Sequence, residues 1–234
     1  VFDIITTSDS SAFECLITQG PAIRQMWDKR VDREYDAEGF LFHAYYSGES
    51  KLIEIFVNAE FGTETAARRQ AEIYAHPIGQ LPSFLRKGVE FIGVHDGTPI
   101  YSAGAGKIFV YAERTKRRIE QRHLEESLFH EAVHVSLDKD HSNSSAWRDA
   151  QQRDGEFLTD YAKNNPERED LAESALFAYA LQVHPGRIPP VDSRDIMEKI
   201  PFRLDVLSQI FEMSAEQEKS LDNGAAKTAA CDKA

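Results

Sequence analysis

Apolar and polar positions along this chain change their rhythm near residue 115. Before that point the apolar residues come in strand-length runs; beyond it they recur every three or four positions, the spacing of helices packed on one side. Phe2 to Thr6 read as a short strand. Phe40 to Tyr46 and Lys51 to Asn58 read as two arms of a hairpin turning at Ser47-Gly48. Thr63 to about Tyr74 has helical composition, and Pro77, which lacks an amide donor, is expected to end it. Val89 to Val94 and Lys107 to Ala112 are again strand-like, separated by a connection through Gly97, Gly104 and Gly106.

From Thr115 a helix is expected to run to about Leu137, with Leu124, Leu128, Ala132 and Val135 on its packed side. A second helix begins near Ser144. A third opens after Asn165-Pro166, where Asn suits the cap and Pro the first helical position, and spans about Glu167 to Val183 with Leu171, Ala175, Leu176 and Tyr179 turned inward. Shorter helices follow over Asp192 to Ser208. The segment from Asn223 onward is small and polar enough to be disordered. The expectation is an α+β chain without internal repeats, in one domain over 1–222: a β-rich half, 1–114, with a small mixed sheet, a helical half, 115–222, and a tail, 223–234.

Charge and composition narrow the function. A formal net charge of −12 disfavours a nucleic-acid binder, which needs lysines and arginines to neutralise phosphates. The one basic cluster, Arg114 to Arg118, runs into Glu120, Glu125 and Glu126 and reads as a solvated helix start rather than an anion site. Apolar stretches such as Leu52 to Val57 are strand-sized, well short of the roughly 18–20 residues of a bilayer span, so no membrane association is expected. The Val1 start fits a removed leader or a trimmed sequence, and a secreted monomer is expected. Cys15 and Cys231 suit a disulfide or two free thiols equally. Asn143-Ser144-Ser145 matches a glycosylation sequon, which matters only in a eukaryotic secretory setting.

The chemistry sits in His130-Glu131-Ala132-Val133-His134. On a helix the two imidazoles lie on one face a turn apart and can grip one metal ion, while Glu131 reaches a metal-bound water. A catalytic zinc takes three protein ligands, so one more is required. The local option extends the motif, as metzincins do, but Leu137 holds the place of their turn glycine and Asp140 that of the last ligand, with His141 one position off. The distant and favoured option is Glu169-Asp170-Leu171-Ala172-Glu173. Glu169 and Glu173 share a helix face, so Glu169 can bind zinc while Glu173 accepts a hydrogen bond from the second nitrogen of a ligating histidine.

HEAVH, followed by Thr159-Asp160-Tyr161-Ala162 and then EDLAE, resembles the gluzincin metallopeptidases, most of all the group that includes the catalytic domain of anthrax lethal factor and the Pro-Pro endopeptidases. The resemblance covers about Leu128 to Tyr179. It implies a zincin-like fold with an edge strand over an active-site helix. It also implies His130, His134 and Glu169 as ligands of Zn2+, Glu131 as general base, and Tyr161 as a hydrogen-bond donor to the transition state. The expected activity is zinc-dependent hydrolysis of peptide or protein substrates. A catalytically idle binding or toxin-associated module, and a hydrolase of non-peptide amides, are the competing expectations. Lys107 to Tyr111 is the candidate edge strand, along which an extended substrate can add, with Gly104 and Gly106 allowing close approach; an ordinary core strand packing Ile108 and Val110 fits equally well.

Overall fold

Two long strands, β1 (Phe13–Asp28) and β2 (Arg33–Tyr46), dominate the first part of the computed structural model, which describes residues 3–49, 51–221 and 231. With β3 (Ile53–Asn58), β4 (Phe91–His95), β5 (Ser102–Gly104) and β6 (Lys107–Tyr111) they form a six-stranded mixed sheet in the order β1-β2-β3-β4-β6-β5. β3, β4 and β6 are mutually parallel; the other pairings are antiparallel. The parallel step from β3 to β4 requires a crossover, supplied by α1 (Glu64–Gln80) and α2 (Ser83–Arg86). The fold is thus α+β.

The β2–β3 hairpin forms across Ser47-Gly48 as expected, but its partner β1 is not legible as a strand. Gln19-Gly20-Pro21 interrupts it, and in the structure that interruption is a bulge between Thr18 and Gly20, with Gly20 at φ +90°. The outer half of the β1–β2 hairpin folds across the sheet face that the helices leave open. Met26 packs on Gly93 so closely that a Cβ there would lie 2.7 Å from both its sulfur and the Phe109 ring. A small second core of Met26, Leu41, Phe56, Phe91 and Phe109 results. The principal core lies on the other face, where Ile55, Ile92 and Ile108 meet the helices.

Several boundaries depart from expectation. Residues 3–6 are not a strand: the Ile4 and Ile5 amides donate to Glu126 Oε1, at 2.8 and 3.1 Å, instead of to a neighbouring strand. α1 continues past Pro77, because fully buried Tyr74, Ala75 and Ile78 hold the helix where one backbone bond is lost. The single helix expected from Thr115 is two, α3 (Ala112–Glu120) and α4 (Leu124–Ser136), separated by a reversal with Arg122 at φ +55°. β6 is an interior strand, and the edge belongs to the short β5.

After α4 a single π-helical turn, Asp138–Ser142, leads to α5 (Ser145–Asp154), capped by the Ser144 hydroxyl, and α6 (Asp160–Asn164). The third expected helix starts later than Glu167: α7 is Asp170–Val183 with Glu169 at its N-cap, while the Arg168 and Glu169 amides turn back onto the Asn165 carbonyl. α8 (Pro190–Lys199) and α9 (Pro201–Leu221) complete the helical side, α9 outrunning its expected end at Ser208. The tail expected from Asn223 lies outside the described residues, except that Cys231 forms a disulfide with Cys15 on β1. Among the described residues no helix is long and apolar enough to cross a membrane.

Candidate metal centre

α4 carries two opposed faces. Leu128 and Ala132 are fully buried against the core, and His130 and His134 project from the other side into a cleft of about 1200 Å³. Their Nε2 atoms stand 3.1 Å apart. Glu169, only 8% exposed, sends Oε2 to 3.2 Å from each.

The position of Glu169 is set by its neighbour in sequence. Asp170 is fully buried and receives Arg203 Nη1 at 2.6 Å and Gln151 Nε2 at 2.9 Å; the same Arg203 binds Asp154 through Nε at 2.9 Å and the Glu156 carbonyl. One arginine on α9 therefore ties α5 to the start of α7 just where Glu169 leaves the helix. A buried guanidinium between two buried carboxylates holds this junction firmly, because losing any member strands an unpaired charge.

The rear of each imidazole is also engaged. Glu173 Oε1 lies 3.2 Å from His130 Nδ1, and Asp138 Oδ2 lies 2.7 Å from His134 Nδ1. When both Nδ1 atoms carry protons and donate them, both Nε2 lone pairs point forward, and three acceptors converge on one point. Three acceptors at 3.1–3.2 Å repel one another unless a cation or protons lie between them. Ligand atoms about 2.0–2.1 Å from a tetrahedral zinc are themselves about 3.3–3.4 Å apart. His130, His134 and Glu169 can hold a metal ion, and both the spacing and the two-nitrogen, one-oxygen donor set suit a borderline cation such as zinc.

The electrostatics of the site agree. Burial works against charge on His130, but hydrogen bonds to Glu169 and Glu173 prevail and raise its pKa to about 9. His134 is raised to about 10 against the same burial cost, by Asp138 and Glu169. For Glu169 burial acts upward, yet the two histidines pull its carboxyl far below the usual range. Glu131 has the opposite character: burial raises its pKa despite the nearby histidines and Lys29.

Tyr161, from α6, lies at the cleft mouth and is 46% exposed. Burial and the Glu169 carboxylate keep its phenol protonated, with a pKa of about 12. Asp140, the alternative ligand, is exposed and stands outside the group, since Leu137, in the place of a turn glycine, is 4% exposed and anchored in the core. His141 is likewise outside it. Two contributors go unanticipated in the sequence. Asp138, four residues past His134 on the same helix face, carries a readable spacing signal; Lys29, delivered by the folded-over hairpin, carries none.

Ile100 to Ala103, leading into the edge strand β5, line the cleft in place of Lys107 to Tyr111. Arg114 and Arg118 line it too, so the basic cluster is only partly a solvated surface. Comparison of the chain with protein-family models, curated proteins and solved structures gives no match.

Proposed function

We propose that the chain is a secreted zinc-dependent endopeptidase of zincin-like fold, with residues 1–222 as a single catalytic domain. One observation carries this reading: Glu169 Oε2 lies 3.2 Å from both histidine Nε2 atoms, with Glu131 beside them in the same cleft. The Cys15–Cys231 disulfide supports an oxidising, extracellular setting.

His130, His134 and Glu169 would hold the zinc. A zinc ion there would act as a Lewis acid toward the scissile carbonyl and would bring the pKa of a water to about 7. Glu131 takes the proton of the attacking water and returns it to the leaving amine. Tyr161, protonated throughout the neutral range, donates a hydrogen bond to the developing oxyanion. Glu173 and Asp138 keep the Nδ1 protons in place, which fixes both the tautomer and the orientation of each ring.

The test is hydrolysis of a mixed peptide library by zinc-loaded protein beside the Glu131→Gln variant. Loss of about 10²–10⁴-fold in turnover with zinc still bound is expected. Equal cleavage by the variant would remove Glu131 from the reaction, and cleavage by neither protein would favour an idle binding module.

A further inference from the structure

We infer that the cleft selects peptides by an anionic side chain, an aspartate or glutamate carboxylate, received by Lys29, with Arg114 and Arg118 lining the same cleft. This rests on the peptidase reading above and names its substrate class.

Among the described residues, four of the six carboxylates that line the cleft are already engaged, Glu131 and Glu167 being the other two. Glu169, Glu173 and Asp138 face the histidines, and Glu126 accepts the Ile4 and Ile5 amides. Three of the cleft's cations lack an anionic partner: among the described residues no carboxylate lies within ion-pair distance of Lys29, Arg114 or Arg118, and Lys29 donates to the Tyr101 carbonyl and Arg118 to Gln121. In a chain of net charge −12 these three cations line the cleft without a carboxylate partner, and an anionic ligand would supply one. Arg114 and Arg118 are four apart on α3 and share a face, an arrangement that repels and costs stability unless an anion comes between them.

Lys29 is prepositioned. Its amide donates to Tyr111 Oη at 2.6 Å, and its ammonium donates to the Tyr101 carbonyl at 2.7 Å, at the threshold of β5. The hairpin that carries it is pinned beside it by buried His95, whose Nε2 contacts the Trp27 carbonyl at 3.0 Å, and by the Asp28–Arg30 ion pair. An ammonium has three donors, so two remain for a ligand. Among the described residues no strand pairs with the outer edge of β5; a peptide extended along it meets Lys29 at the Tyr101 end, and little side-chain freedom is lost on binding there.

The experiment uses peptides identical except for one residue, Glu, Gln or Lys, scanned through the positions flanking the scissile bond. Two readouts are taken: kcat/KM with zinc-loaded wild type, and equilibrium binding by anisotropy to the Glu131→Gln protein with and without zinc. At one position Glu is expected to exceed Gln about tenfold or more in both, the ratio shrinking at high salt and collapsing toward one in Lys29→Met and in the Arg114→Met/Arg118→Met pair. Cleavage without preference, or a preference unmoved by these substitutions, overturns the inference and leaves the peptidase reading intact. Selective binding of the Glu peptide without hydrolysis by wild type supports the inference and rejects the peptidase reading.

Discussion

Glu173 stands directly behind His130, Oε1 to Nδ1 3.2 Å, so that a carboxylate one helical turn beyond Glu169 fixes which nitrogen of the ring faces the metal position. Asp138 does the same for His134 at 2.7 Å. Removing either partner frees the ring to rotate and to change tautomer. Glu173→Ala and Asp138→Ala are each expected to weaken zinc about 10–100-fold, measured by competition with a chromophoric chelator. Unchanged affinity in both would mean that the rings are oriented by packing alone.

Arg203 is buried with Asp154 and Asp170 as its ion partners. Arg203→Met leaves two carboxylates without their cation and is expected to cost about 3–5 kcal/mol in urea unfolding. Zinc affinity should fall as well, because Asp170 adjoins Glu169. A variant as stable as wild type would show that water replaces the guanidinium at no cost.

Arg187, between α7 and α8, pairs with Asp9 and also donates to the Ile4 carbonyl at 2.6 Å, tying residues 4 and 9 to the helical side. The hydrogen bond from Arg187 is the largest influence on the Asp9 carboxyl and outweighs burial, lowering its pKa to about 2. A folded-state pKa below the ordinary 3.8 gives a contribution that is complete above that value and is lost as the pH falls toward 2. Wild type should therefore melt higher than Asp9→Asn at pH 6, and the two curves should converge near pH 2. A gap that persists at pH 2 would assign the difference to packing.

What could be read in the sequence follows from the range of the forces involved. The HEAVH spacing, the Glu169/Glu173 pair, the β2–β3 hairpin and the strand character of β4 and β6 are local patterns of period or offset, and each was legible. The full length of β1 and the starts of α4 and α7 are held by partners distant in sequence. Glu126 holding Ile4 and Ile5, Met26 lying on Gly93 and Arg203 gripping Asp170 are contacts no window of neighbouring residues contains. The edge is hard to read for a similar reason: β6 has the stronger strand composition because it is buried between β4 and β5, whereas the edge strand is three residues long and ends in glycine.

The central claim, that two imidazoles and a carboxylate from a separate helix share one zinc ion, is tested most directly by anomalous diffraction at the zinc edge from crystals of zinc-loaded protein. The account expects one strong peak about 2.0–2.2 Å from His130 Nε2, His134 Nε2 and Glu169 Oε2. No peak there, or a zinc ion held by the histidines with Glu169 turned away, would contradict it.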